Sequence, residues 1–355
     1  MKMSKKNQKE TKMVRRVQVT GGSTYIISIP KEWADELGID KGLEVVMELT
    51  RDNALKIYSS KHKEKPMEIQ KEIYINENLL DSAIIMEVIS AYLAGYTSIK
   101  LVFSPLMLNR VYQIMNNVRN KVVGLEVLEE SENSVTLRVV VDLSSIPTTL
   151  AIENMRKTFK SMLEDFGNAI KNRDIEIFNS IIKRDDVMDK LYLYIYKQIN
   201  LALQETVKLE DLGIYNSTEA INLYTTIKSI ERIADHIVFM STWMIENIND
   251  IQIPDMLDNL INDVSKEVIS IVDNIGTSQN ANELLNVYSR IHELIDKELE
   301  LIKSLKGSKQ FYEIYPILDG LRRAMAYSID VIEAQVGLNM EREINGNKKY
   351  NKMHY

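Results

Sequence analysis

Apolar positions along the chain recur in three different rhythms. Over residues 14–20, 25–29, 43–49 and 54–58 they alternate with polar ones, the period-two pattern of short strands covered on one face. Gly21-Gly22 supplies the positive φ of a tight turn, Pro30 stops the ladder, and residues 31–37 are predicted as a short helix closed by Gly38. Asp52-Asn53 is predicted as a hairpin tip. A β-rich unit this short has too little interior to bury its own apolar face, so it is expected to dimerise. The charged stretch Lys61-His-Lys-Glu-Lys-Pro66 reads as a linker.

Over residues 67–146 the rhythm switches between strand and helix periods. Strands are predicted at 68–75, 98–103, 125–129 and 134–141, and helices at 82–94 and 106–119. The order βαβαββ predicts a small open sheet with two helices on one face. From residue 147 to 345 the period is helical almost throughout. Breaks near Asn172-Arg173, Gly213, Ile253-Pro254, Gly276 and Gly307 give six helices. They divide at Pro254 into halves, 147–252 and 254–345, as an internal duplication of a three-helix unit does. Residues 346–355 are polar, rich in Asn and Lys, and read as a disordered tail. The expected fold is therefore multi-domain and mainly α: a β unit over 1–62, an α/β unit over 67–146 and tandem three-helix bundles after it.

Composition narrows the class. The chain has 355 residues, 45% of them hydrophobic, which supports sizeable cores. It contains no cysteine, which excludes disulfides, thiolate metal sites and a cysteine nucleophile. No apolar run approaches the length of a membrane span and no secretory signal is visible, so a cytoplasmic protein without membrane insertion is expected. The net charge of −7 conceals an asymmetry, since residues 1–16 hold seven Lys/Arg against the single acid Glu10 and the remainder sums to −13. A basic arm leading into a strand unit, on an otherwise acidic chain, points to a polyanion bound at one end. Lys12, Arg15, Arg16, Lys31 and Arg51 are the candidate DNA-binding residues. On a strand Arg15 and Arg16 face opposite sides, so one of them meets a given groove unless a dimer uses both.

The sharpest chemical pattern lies in the first helical half. Asp185 and Asp189 are four residues apart on one helix, and Glu231 and Asp235 four apart on the next. Carboxylates at this spacing share a helix face and repel, unless a cation lies between them. Both pairs fall at the border of the apolar stripe, which for the second is Ile227, Ile230, Ala234, Ile237 and Val238. Two neighbouring helices presenting four carboxylates offer the oxygen ligands that hard cations prefer. Ordinary surface pairs, Lys190 with Asp186 and Arg232 with Asp235, account for the same spacing, and spacing alone leaves both readings open. His236 points to another helix face and is read as structural, and Tyr192, Tyr194 and Tyr196 as packing residues. With the two halves aligned, Asp185 and Asp189 fall opposite His292 and Asp296, and the acids of the third helix opposite Arg322 and Ala326. An arginine in that position leaves no room for a second site of the same kind. No acid–base pair, nucleophile or Gly-rich phosphate loop points to catalysis, and no enzyme is expected.

Two resemblances attach to these residues. Gly21-Gly-Ser through Ile29-Pro-Lys-Glu-Trp33, with Leu37-Gly-Ile-Asp-Lys-Gly42, resembles the SpoVT/AbrB group of swapped-hairpin DNA-binding domains. That implies an intertwined homodimeric β-barrel gripping DNA, as in AbrB-like regulators and MazE-like antitoxins. Residues 148–342 resemble PhoU, whose three-helix repeats carry acid-x-x-x-Asp motifs for multinuclear metal clusters. Asp185-x-x-x-Asp189 and Glu231-Arg-Ile-Ala-Asp-His236 match the motifs of the first repeat, while Arg322 and Ala326 depart from those of the second. The resemblance implies a divalent or iron-type cluster held by Asp185, Asp189, Glu231 and Asp235. The combination is similar to archaeal PhoU-like phosphate-uptake regulators. It implies a transcriptional regulator whose partners are DNA, a second copy and components of a phosphate ABC transporter. The alternatives are an adaptor acting on the transporter without DNA, and an antitoxin-like protein.

Overall fold

The computed structural model describes residues 12–49, 54–59, 69–140, 146–275 and 281–352. The basic residues before Lys12, Arg51, the tip at 52–53, the linker at 61–66 and the break at Gly276 lie outside the described residues. The chain divides into two compact units, Met1–Met67 and Glu68–Tyr355.

In the first unit β1 (Gln18–Thr20) pairs antiparallel with β2 (Thr24–Ile26), Val19 opposite Tyr25. Gly21 and Gly22 make the turn at φ 61° and 84°, a region that residues with a Cβ avoid. The helix α1 (Lys31–Glu36) begins after Pro30, and β3 (Val45–Leu49) pairs antiparallel with β4 (Leu55–Ser59), Met47 opposite Ile57. The first strand, expected from residue 14, begins only at Gln18. Its partner β2 is three residues long, so the backbone ahead of Gln18 has no neighbour to pair with, and Arg15 and Arg16 sit in this lead-in. The two hairpins are separate two-stranded sheets. Among the described residues none of this unit's large hydrophobic side chains is buried; Tyr25 is 73% exposed, Met47 65% and Leu49 76%. Lone hairpins are marginal in water, and each large apolar side chain left there forgoes about 1.5–3 kcal/mol. Among the described residues, the contacts of a single chain therefore do not give this unit a core.

The second unit opens with the order read from the sequence: β5 (Gln70–Tyr74), α2 (Asp81–Leu93), β6 (Ser98–Val102), α3 (Leu108–Lys121), β7 (Leu125–Ser131) and β8 (Ser134–Val139). The sheet runs β5-β6-β8-β7, with β5 parallel to β6 and the other pairs antiparallel. The parallel pair needs a crossover, which α2 supplies. Ile99, Leu101, Val135 and Leu137 of the sheet are buried against Ile84 and Val88 of α2 and Val111 and Ile114 of α3.

Six helices follow among the described residues: α4 (Thr148–Asn172), α5 (Ile175–Leu203), α6 (Ser217–Asn247), α7 (Asp255–Asp273), α8 (Ala281–Leu305) and α9 (Lys309–Lys352). They share one core that includes Phe159, Phe166, Phe178, Ile237, Val268 and Met325. Gly320 permits the close crossing of α9 over α6, because a Cβ there would fall 2.6 Å from the Met240 side chain. The last helix continues to Lys352, past the point where the sequence suggests a disordered tail. Elongating a helix already nucleated fixes one residue per hydrogen bond, so a polar stretch can extend it.

Two polar connections fix how these elements meet. Arg173, at φ 53° after α4, donates from Nη1 and Nη2 to the carbonyls of Ile248 and Ile251, each at 2.7 Å, and so satisfies the end of α6. We expect Arg173→Ala to lose about 2–3 kcal/mol in denaturant unfolding, because charged hydrogen bonds to otherwise orphaned carbonyls disappear. On the other side, α5 terminates α2. Lys197 donates to the Tyr92 carbonyl and lies 3.7 Å from the centre of its ring, Asn200 Nδ2 donates to Leu93 O at 3.1 Å, and Gln204 Nε2 to Ala94 O at 3.3 Å. Burial lowers the Lys197 ammonium to about 8. The α/β segment thus has its own core, and it is joined to the helices by these hydrogen bonds, by Leu193 of α5 packed against its core and by Val123 packed against the helical core.

Candidate functional site

The long helices α5 and α6 lie side by side, so acids placed one turn apart on each come together. Asp185 and Asp189 of α5 and Asp235 of α6 each offer a carboxylate oxygen, and these atoms all lie within 4.8 Å of one another. Asp185 Oδ1 is buried and has no hydrogen-bond partner. Burial first, and then the neighbouring acids Asp189, Glu231 and Asp186, push the Asp185 carboxyl up to about 6, although Lys121 pulls the other way. Burial followed by Glu231, Asp185 and Asp189 pushes Asp235 up to about 7, against the pull of Lys228. Three carboxylates this close, with an orphaned buried oxygen, form a cluster short of positive charge, and the donor set suits a hard cation.

Glu231 lies beside this group without joining it. It is 7% exposed, and its Oε2 accepts from Lys228 Nζ at 2.6 Å. Lys228 in turn lies 4.6 Å from the centre of the Tyr192 ring. Arg232 donates to the Tyr327 hydroxyl at 3.2 Å and stacks over that ring. His236 stacks on Tyr327 with ring centres 5.9 Å apart, and burial, then Arg323, lowers its pKa.

One cation does reach the cluster, and no sequence pattern announces it. Lys121, the last residue of α3, places Nζ 2.6 Å from Asp189 Oδ2. Burial opposes its charge, but Asp189, Asp185 and Asp186 outweigh burial and the pKa is raised. The sheet segment therefore lends its own ammonium to the acids of the bundle. Removing it by Lys121→Ala is expected to lower the melting temperature of EDTA-treated protein and to enlarge the rise produced by Mn2+, since the ammonium and a metal ion compete for the same carboxylate. A smaller Mn2+ response in the variant would show that Lys121 supports a bound ion instead.

In the second repeat, Asp296 and His292 are exposed. The buried acid is Glu298, 1% exposed, and Arg322 Nε lies 3.1 Å from both of its oxygens. Burial raises the Glu298 carboxyl and Arg322 lowers it. Glu298 falls on the stripe of Leu294 and Leu301, where a charge requires a partner, and that was the available signal. A guanidinium from the neighbouring helix meets the buried acid here, and Lys228 and Lys121 meet Glu231 and Asp189 in the first repeat.

Of the basic candidates in the first unit, Lys12, Arg15, Arg16 and Lys31 are all exposed. No helix among the described residues is long and apolar enough to cross a membrane.

Residues 152–244, which carry the acid cluster, match the PhoU domain family. Residues 18–65 match the family of MazE, the bacterial antitoxin of antidote–toxin recognition. The chain thus joins a segment that matches the MazE antitoxin family to one that matches the PhoU domain family. Among solved structures it is similar to the phosphate transport system regulatory protein PhoU from Streptococcus pneumoniae, at 14% identity over 55% of this chain and 93% of that one, with a TM-score of 0.45. No curated protein matches the chain.

Proposed function

We propose that this protein is a cytoplasmic, non-enzymatic transcriptional regulator of phosphate uptake. Two copies of the N-terminal unit close their exposed apolar faces into one barrel, and Arg15, Arg16, Lys12 and Lys31 of both copies meet a DNA duplex, with Arg51 as a further contact. The helical body senses phosphate status through a partner of phosphate transport. The observation that carries this reading is the joining, in one chain, of a MazE-matching unit whose described residues bury no large hydrophobic side chain to a segment that matches the PhoU domain family. A divalent or iron-type cation held by Asp185, Asp189 and Asp235, with Glu231 beside them, would supply the positive charge that those carboxylates lack. The residues themselves repel one another without it, and Lys121 moderates that repulsion from outside the bundle.

The test is a fluorescence-polarisation titration of the full chain against duplexes from upstream of phosphate-transport genes, repeated across salt. A linear fall of log K with log salt supports the reading, because released counterions drive phosphate contacts. Affinity indifferent to salt, or no binding at low salt, overturns it. The MazE match favours a second reading, in which the β unit and its flank neutralise a toxin. Rescue of growth on co-expression with a toxin encoded beside the gene would favour that one.

A further inference from the structure

The α/β segment rests on one face of α5. Asp189, Leu193, Lys197, Asn200 and Gln204 follow one another at spacings of four, four, three and four, which places them in a single stripe along that helix. Each of them meets the segment. Asp189 takes the Lys121 ammonium at 2.6 Å, Leu193 packs against the segment's core, and Lys197, Asn200 and Gln204 donate to the carbonyls of Tyr92, Leu93 and Ala94. At the rise of an α-helix the stripe spans about 22 Å. Continued one turn toward the start of α5, it reaches Asp185. The docking face therefore runs without a break into the acid cluster, and Asp189 belongs to both.

The two ends of the stripe are held by different chemistry. At the α2 end three side-chain donors meet carbonyls at the end of a helix, and Lys197, 2% exposed, also lies over the Tyr92 ring. None of the cluster's acids takes part in those bonds, so a cation in the cluster does not compete for them. The Tyr92 hydroxyl donates to the Val123 carbonyl at 2.9 Å, which joins α2 to the chain leaving α3 and makes Tyr92 a common pivot. At the other end the contact is one ion pair, its lysine and acid side chains 42% and 19% exposed. That acid is one of the three whose oxygens could hold a cation.

We propose that Lys121 is a latch released by a divalent cation in the cluster. With an ion drawing on Asp189, the Lys121 ammonium loses its carboxylate and is repelled by like charge, and the α/β segment swings away from α5 about Tyr92 and Lys197. The inference rests on the cation reading of the cluster given above. It assigns a task to the α/β segment, which stands in the chain between the N-terminal unit and the helices: occupancy of the acid cluster becomes a change in how the segment docks. A partly exposed ion pair is a modest tie, so the release is a shift of population and not a detachment.

Hydrogen–deuterium exchange of the full chain at one pH, in EDTA and in saturating Mn2+, reads both halves of the device. With Mn2+ the amides of α5 and α6 around Asp185, Asp189 and Asp235 should exchange more slowly. Those of the last turn of α3, Val118 through Val122, should exchange about three- to fivefold faster. Lys121→Met keeps the aliphatic stem and removes the charge. It should show the faster α3 exchange already in EDTA, with less than about a twofold further change on adding Mn2+. Slower exchange in α5 and α6 with α3 unchanged or slowed overturns the latch and leaves the cation reading standing, whereas no slowing in α5 and α6 overturns both. A folded Lys121→Met that matches the wild type in EDTA also overturns the latch, and the wild-type comparison decides alone if the variant does not fold.

Discussion

Reversing both lead-in arginines, Arg15→Glu with Arg16→Glu, is expected to reduce DNA affinity by roughly a thousandfold or more at 0.1 M salt, with the fold of the helical body unchanged. The size follows from counterion release. Each phosphate neutralised on duplex DNA contributes about 0.9 to the slope of log K against log salt, hence about a factor of eight at 0.1 M. Two arginines in each of two copies make four such contacts. Their loss should therefore also flatten the salt slope by roughly 3–4. Both side chains are exposed and precede β1, so their replacement removes no packing. An adaptor that never touches DNA would be indifferent to the change. If the double variant kept wild-type affinity and slope, the DNA contact would have to lie elsewhere.

The second large effect is on stability, and its sign is fixed by the acid cluster. Asp185 and Asp235 titrate at about 6 and about 7 in the folded chain, above the ordinary 3.8. A carboxyl whose folded pKa is raised binds more protons folded than unfolded, so stability is greatest at low pH and declines as pH rises from about 4 to about 7. With EDTA present, the melting temperature should consequently be lower at pH 8 than at pH 5. After allowance for solvent screening at these partly exposed carboxyls, the loss is about 2 kcal/mol, or roughly 4–8 °C. Adding Mn2+ at pH 8 should restore it, because binding to the folded state alone stabilises by mass action, about 2.7 kcal/mol at a hundred times the dissociation constant. Asp235→Asn separates the two effects: it should raise the melting temperature of the metal-free protein at pH 8 and diminish the Mn2+ response. Scanning fluorimetry across pH, with and without metal, reads all of these. A metal-free protein more stable at pH 8 than at pH 5, or a Mn2+ response intact in the variant, would contradict the cluster's role.

The sequence showed much of this architecture because its signals are local. Gly21-Gly22, Pro30 and Gly38 punctuate the first hairpin and helix, and Pro254 stands immediately before α7. The period change along residues 67–146 was enough to order six elements. What stayed hidden depends on contacts between distant residues. Lys121 and Asp189 are 68 positions apart, and nothing in the pattern of α3 says that its last lysine will touch an acid of α5. Part of the junction of the α/β segment with the helices is built from side chains meeting backbone carbonyls, as with Lys197, Asn200 and Gln204, and nothing in the pattern of α2 marks the carbonyls they meet. In the second repeat, alignment of the helices pointed to Asp296, whereas the packed acid is Glu298, two residues on, where the apolar stripe lies. The same offset explains why Arg322, read as an obstacle to a cation, proves to be the partner of a buried acid. Glu231 shows the limit of spacing in another way: it is four residues from Asp235, yet a lysine three residues earlier holds its Oε2. Strand length in the first unit was overestimated at its start for a different reason. Alternation reports which residues suit a sheet, not whether a neighbouring strand exists to pair with them.

The account stands on the pairing of two N-terminal units around DNA. Sedimentation velocity of the full chain, alone and with a fluorescent duplex from upstream of phosphate-transport genes, measures that pairing directly. The account predicts a dimer in the absence of DNA and a complex containing two chains per duplex. A stably monomeric chain, or one that sediments apart from the duplex at low salt, would contradict it.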